Sequence, residues 1–510
     1  MIIVKNIALA AASLLSLLWP LWLNGGLYLF ADSGSYLQGT ATGFQYLFGI
    51  ESNLSESWRL PETHAPETPT APVETAVGAD GQGDPATSNT ENQQYAVSDA
   101  RSPYFGAVAF LTSFALGHIG LALFSALILM LAVLIASRLL LGSATIGTVC
   151  ILALSTLTPL PFFVCFLMPD VYAGIVILTS SLILMYRRDW RWTSWLLLTA
   201  LMAMCTMFHT SHLLLVWAIS VAGTPLVLLL CHRLPLAAFG ATALVTVASI
   251  SGGAVFDSLV ERIYESEVIS PPFLAARLIA DGPGYWYLRN ECDAVDSIFC
   301  DYIDRFPVDA IDAGEADWYS DTFLWSPDLS KGVFSAAPLE AREQMSDEHF
   351  TFAASVVAHY PVEVGRAIIT NFATQLIYKN GLSEFMSQSR FSSLFQAIGE
   401  PLTSSGMTET DREGVIRSLQ SIYPAIFWLA VLLCILLWRS ARPRIPSQED
   451  TLRVLVLLLF GGVMANALIT GGLSGPHDRY NARVLWLPLL SALFFVTHLN
   501  SRGPSDGTAL

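Results

Sequence analysis

Four polar clusters interrupt an otherwise apolar chain, and each carries side chains suited to moving a proton or gripping a phosphate. The first is Asp32, in Phe30-Ala31-Asp32-Ser33-Gly34-Ser35-Tyr36, just past the first long apolar run. A carboxylate at the lip of a membrane span is costly to desolvate and marks a functional site by default, here a general base. The bland reading of the same residues is a helix cap or an interfacial turn. The second cluster is Pro159-Leu160-Pro161 with Met168-Pro169-Asp170-Val171-Tyr172. A Pro-Asp pair at a span entrance reads first as an N-cap. The third is His209-Thr210-Ser211-His212. Histidines three apart can share a helix face and meet a metal or a phosphate, though they more often occupy a wet interface. The fourth is Ser474-Gly475-Pro476-His477-Asp478-Arg479-Tyr480-Asn481-Ala482-Arg483. Arg479 and Arg483 stand one helical turn apart, so their forked donors could hold one phosphate or diphosphate. The competing reading is a salt bridge, from Arg483 to Asp478 or to an acidic outer segment.

The elements that position these clusters follow from composition. Of 510 residues, 53% are hydrophobic and only 13% charged, where a soluble chain carries about a quarter charged. Apolar runs of the length that crosses roughly 30 Å of hydrocarbon recur along the chain. They predict ten spans, near 6–24, 117–137, 143–163, 171–186, 193–209, 213–231, 235–254, 422–438, 452–470 and 483–498. The first could be mistaken for a cleaved leader, but Trp19-Pro20-Leu21-Trp22 continues it without a small-residue cleavage site, so it reads as a retained helix. Lys5, Arg138, Arg187, Arg188, Arg191, Arg233, Arg439, Arg442, Arg444, Arg453 and Arg502 all fall on one side of this arrangement. The short loops on the other side hold Arg479 and Arg483. By the excess of basic residues in cytoplasmic segments, both termini are cytoplasmic and the four clusters emerge on the outer face.

The fold expected is therefore an all-α polytopic membrane protein of about ten transmembrane helices, with a periplasmic α-rich domain between spans seven and eight. The first span and an interfacial helix occupy 1–50, and an acidic disordered insert rich in Pro, Thr and Glu occupies 51–100. A second interfacial helix and spans two to seven occupy 101–254, the periplasmic domain 255–421, spans eight to ten 422–498, and a cytoplasmic tail 499–510. The whole chain has a net charge of −16, and it is concentrated in the two outer segments. That sign excludes a nucleic-acid partner. Aromatics in the outer domain, among them Tyr285, Trp286, Tyr287, Phe299, Tyr302, Trp318, Tyr319, Phe323 and Trp325, read as core before they read as sugar-stacking surfaces. Of seven cysteines, Cys150, Cys165, Cys205, Cys231 and Cys434 lie in or beside spans. Cys292 and Cys300 lie in the outer segment, where an oxidising compartment permits a disulfide. No set of Cys and His has zinc-site spacing; a divalent metal is permitted but not required.

Together the clusters suggest a base, a cationic phosphate site and group transfer from a lipid phosphate at the outer leaflet. The chain resembles the GT-C superfamily of polytopic glycosyltransferases, which use polyprenyl-phosphate-linked sugars. The resemblance rests on Asp32 directly after the first span, on Arg101, Pro103 and Tyr104 as an Arg-x-Pro-Tyr-like motif, and on Arg479-Tyr480 before a late span containing Trp486-Leu487-Pro488. It rests also on the large outer domain after span seven, which is where protein O-mannosyltransferases carry theirs. The chain departs from the family where Asp32 is followed by Ser33, since members often have two adjacent acids, and in its 51–100 insert. The resemblance implies an inverting transfer at the periplasmic face of a bacterial inner membrane, with Asp32 as the catalytic acid-base residue. Tyr36, Arg101, Tyr104, Asp170, His209, His212, His477, Asp478, Arg479, Tyr480 and Arg483 are the expected substrate-binding residues, and a lipid-linked sugar phosphate and membrane lipids the expected partners. The oligomeric state is open. Rival readings are a polysaccharide ligase, which moves a preassembled glycan, and a transporter or lipid flippase, which would place ionisable residues nearer the bilayer midplane. The chain also resembles bacterial membrane proteins that share Ala-Arg-Leu-Ile-Ala-Asp-Gly-Pro, here 276–283.

Overall fold

The computed structural model describes residues 2–56, 97–187, 189–264, 267–306, 311, 320–328, 330–377, 382, 385, 392–402, 409–440 and 448–501. Most of the acidic insert expected over 51–100 lies outside the described residues, as do Arg188, Trp318, Tyr319 and most of the expected tail. Among the described residues the chain is helical almost throughout. Its strands amount to a two-residue parallel pairing, Val97 with Val268 and Ser98 with Ile269.

The chain divides into two compact units, one of residues 1–54, 101–256 and 368–510, the other of 55–100 and 257–367. The second unit, where an outer domain is expected to run from 255 to 421, thus ends at 367. Residues 368–377 group instead with the first unit.

The first unit opens with α1 (Ile2–Asn24), α2 (Ser33–Phe48), α3 (Pro103–Leu116), α4 (His118–Leu141), α5 (Ala144–Leu157), α6 (Leu160–Val164), α7 (Asp170–Leu184), α8 (Trp192–Met207), α9 (Thr210–Cys231) and most of α10 (Leu236–Tyr264). All fifteen residues of α7 are buried, as expected of a helix that is apolar on every side. Helix α1 packs on α5 through small hydroxyl residues. Ser13 Oγ donates to the Thr148 carbonyl at 2.9 Å, and Ser155 Oγ donates to Ser16 Oγ at 2.9 Å. Such contacts let two apolar helices approach closely. By contrast α10 turns Leu244, Val247 and Ile250 outward, the surface a hydrocarbon-facing helix presents.

In the second unit, α11 (Phe273–Ala280) and α12 (Pro283–Glu291) are joined at a sharp corner. Arg277 Nε donates to Asp281 Oδ2 at 2.9 Å, and Gly282 takes φ +102°, a conformation open to glycine and strained for other residues. The stretch 276–283 thus encodes a helix–corner–helix. Helix α13 (Leu339–His359) closes this unit. Phe299, Phe306 and Phe323 pack with Phe352 and Tyr287 as its core, so these aromatics are interior. A disulfide joins Cys292 to Cys300.

The chain then continues through α14 (Pro361–Ile377), α15 (Glu409–Ser440), α16 (Gln448–Ile469), a π-helical turn (Thr470–Ser474), α17 (Asp478–Ala482) and α18 (Trp486–Ser501). Seven helical stretches of the described residues are long and apolar enough to cross a membrane: Asn6–Asn24, His118–Leu141, Thr210–Cys231, Leu236–Arg262, Thr410–Trp438, Thr451–Ser474 and Asp478–Asn500. The other three expected spans are the apolar helices α5, α7 and α8, of 14, 15 and 16 residues. At 1.5 Å per residue these cover about 21–24 Å, short of the hydrocarbon thickness.

Candidate functional site

The loop that carries Asp32 is laid against the loop that leads into Asp170. Tyr28 N–H donates to the Cys165 carbonyl at 2.9 Å and Leu167 N–H to the Tyr28 carbonyl at 3.0 Å. Ser33 Oγ receives the Phe30 N–H at 2.9 Å and donates to the Leu167 carbonyl at 2.9 Å. This short ladder places the residues before α2 and before α7 side by side. Asp32 makes no side-chain capping bond to α2, so the helix-cap reading does not account for it. Its Oδ1 is instead 2.5 Å from Arg101 Nη2.

Arg101 is held just ahead of α3. Ser102 caps that helix through the Phe105 N–H and donates to the Met207 carbonyl at 2.6 Å, tying Arg101 to the end of α8. Burial pulls the Arg101 guanidinium down, and the Asp32 carboxylate more than offsets it, so its pKa lies above the ordinary value. Tyr36 is buried, and burial drives its phenol up against the opposing pull of Arg101; Asp32 and Asp170 raise it further and Arg479 lowers it. Tyr36 therefore keeps its phenolic proton.

His209 caps α9 by accepting the Ser211 N–H on Nδ1 at 3.2 Å. Burial, then His212, Arg483, Arg101 and Arg479, hold the His209 imidazole well below its usual range. The His209 and His212 rings are 5.4 Å apart. His212 is fully buried with Nδ1 2.7 Å from the Cys205 carbonyl. A carbonyl only accepts, so Nδ1 carries the proton.

The two arginines of the last cluster have different environments. Arg483 lies inside, with Nη1 3.2 Å from Asp170 Oδ1 and Nη2 donating to Asn466 Oδ1 at 2.9 Å. The acid facing Arg483 is thus Asp170, not Asp478, and Asp170 forms a buried ion pair rather than serving only as a cap. The Arg479 guanidinium carbon sits 3.9 Å above the Phe30 ring, two residues before Asp32, and 5.0 Å from the Tyr480 ring. Asp170 and Asn466 engage both terminal nitrogens of Arg483, while Arg479 Nη2 donates to the Tyr480 hydroxyl at 3.3 Å. His477 lies edge-on to Tyr480 at 5.4 Å, and Asp478 opens α17. Tyr104 is directed elsewhere: its hydroxyl donates to the Gly252 carbonyl at 2.7 Å and ties α3 to α10.

Several residues at this site escaped the sequence reading. Phe30 supplies the face under Arg479. Asn466 donates from Nδ2 to the Tyr480 carbonyl at 2.7 Å while accepting from Arg483. Gln375 and Asn481 hold the loop between α16 and α18. Asn466 had a signal, an amide inside the apolar run Val463-Met464-Ala465-Asn466-Ala467-Leu468, where polar side chains join helices. Gln375 had none. Among the described residues no group of three or more His, Cys, Asp or Glu side chains is arranged to hold a metal ion. Comparison of the chain with protein-family models, curated proteins and solved structures finds no match.

Proposed function

We propose that this protein is a membrane-embedded glycosyltransferase that moves a sugar from a polyprenyl-phosphate-linked donor to an acceptor hydroxyl at the periplasmic face of a bacterial inner membrane. The observation that carries the reading is the stacking of Arg479 on Phe30, which brings a cation to the same short loop as Asp32. In the proposed step the acceptor O–H attacks the anomeric carbon, the bond from that carbon to the phosphate oxygen breaks, and Asp32 takes the proton. Arg479 stabilises the charge that grows on the departing phosphate. Arg101 orients Asp32 through Oδ1 and leaves the second carboxylate oxygen for the acceptor. Arg483 fixes the loop through Asp170.

The reading assigns ten spans, with α5, α7 and α8 as short spans, and cytoplasmic termini. Arg233 supports that orientation: it donates to the carbonyls of Met185 and Tyr186, at the end of α7 remote from Asp170. A basic residue at that helix end fits both the macrodipole and the cytoplasmic side.

Asp32→Asn removes the base while preserving shape. It is expected to cut transfer by about 100- to 10,000-fold in a protein that still folds. Wild-type turnover in that variant removes the catalytic role. Mass spectrometry of the lipid that co-purifies in detergent provides the second test. A polyprenyl phosphate supports the reading, whereas bulk phospholipid alone counts against it. Whether a monosaccharide or a preassembled glycan is transferred separates this activity from that of a ligase.

A further inference from the structure

Gln375 lies in the last turn of α14 and is fully buried. Its side-chain amide pairs with the backbone of His477 in both directions. His477 N–H donates to Oε1 at 2.9 Å, and Nε2 donates to the His477 carbonyl at 2.8 Å. Two such bonds to one residue resemble the exchange between paired strand residues, with a side chain taking the place of a strand. Asn481 returns the contact: its Nδ2 donates to the carbonyls of Gln375 and Leu376 at 3.1 and 3.3 Å. The loop is therefore tied to α14 at residues 477 and 481, on either side of Arg479.

This approach depends on a glycine. A Cβ at Gly471, in the π-helical turn, would lie 2.7 Å from the Gln375 Cβ and 2.8 Å from the Asn371 carbonyl oxygen. Single π turns are frequent at functional sites, and this one ends just before the arginine loop. Its register leaves room for α14 to reach the loop backbone.

We infer that Gln375 is a positioning residue that fixes the arginine loop over Phe30 and so sets how tightly Arg479 takes a phosphate monoester. The phosphate half of this inference rests on the function proposed above; the loop half stands by itself. Replacing Gln375 by Leu keeps the bulk and removes both of its bonds to the His477 backbone, each a net loss of stability when buried.

The test uses full-length protein in detergent and compares Gln375→Leu, Gly471→Ala and Arg479→Ala with the wild type. Amide exchange is followed across 475–484 by mass spectrometry, and binding is measured with a short-chain polyprenyl monophosphate. In Gln375→Leu and Gly471→Ala, exchange in 475–484 is expected to rise about tenfold, with the rest of the chain unchanged. Probe affinity is expected to fall by a similar factor, less than in Arg479→Ala. Exchange in 475–484 that stays at the wild-type rate, or rises only in step with the whole chain, overturns the inference. A wild type that does not bind the probe overturns the phosphate reading and the affinity half, while the exchange result still decides whether Gln375 sets the loop.

Discussion

Two of the carboxylate–guanidinium pairs in the first unit, both at the candidate site, differ in what surrounds them. Asp32 and Arg101 each keep 21% of their side-chain surface exposed, while Arg483 and Asp170 keep 2% and 3%. The first pair is half-buried and keeps contact with water, which weakens it. The second pair has lost its water, and its charges depend on each other and on Asn466. Identical chemical groups thus sit in opposite surroundings. The half-buried pair keeps contact with water, and the buried pair is held only by its protein neighbours.

The largest effect should follow from breaking the buried pair on one side. Arg483→Met leaves Asp170 uncompensated and is expected to cost about 3–5 kcal/mol, read as a lowered unfolding midpoint in detergent. Adding Asp170→Leu should recover much of that loss, because two apolar groups no longer need each other. A double variant as unstable as the single one would mean that Asp170 and Arg483 act independently.

Next in size is Gly174→Ala, which tests the same pair through its packing. A Cβ at Gly174 would lie 2.6 Å from Trp486 Nε1, the atom that donates to the Arg483 carbonyl. Overpacking of this kind costs about 1–3 kcal/mol, partly offset by the helix preference of alanine. Stability equal to the wild type would show that Trp486 shifts freely and that the buried pair is less rigid than described.

The contrast between the pairs also explains what the sequence could reveal. Apolar run length located the helices, since a span must hide every peptide group in its own hydrogen bonds. The four polar clusters stood out because charge is rare in such a chain. Pairing was not legible. Whether Arg483 meets Asp478 five residues before it or Asp170 at the start of the distant helix α7 depends on how the helices pack, and local spacing carries no record of that. Gln375 shows the same limit more sharply. It follows threonine at the end of an amphipathic helix, and only the fold reveals that its amide meets the backbone of His477. The boundary at 367 had no composition signal for the same reason: residues 368–377 of α14 group with the first unit, where the Gln375 amide meets the His477 backbone.

His209 offers a smaller effect with a definite sign. Its folded pKa lies below the unfolded value of about 6.5, so above that pH both states are neutral and the group contributes nothing. As pH falls below it, the unfolded chain takes up the proton first, and stability declines by at most about 1.4 kcal/mol per pH unit. His209→Asn keeps a capping acceptor but cannot titrate. The variant should therefore lose less stability than the wild type between pH 7 and pH 5. Parallel curves would place the acid sensitivity elsewhere.

The smallest stability effect belongs to the half-buried pair, and its small size is what makes it informative. Arg101→Gln removes a partner from Asp32 that water can replace, so the expected loss is about 0–1 kcal/mol. If Arg101 only braces the fold, turnover should follow that small change. If it orients the proposed base, turnover should fall far more than stability, and Arg101→Lys should recover only part of it, because an ammonium lacks the forked geometry of guanidinium. A stability loss as large as that of Arg483→Met would erase the distinction between the two pairs. It would show that the rim pair, despite its exposure, is as structural as the buried one.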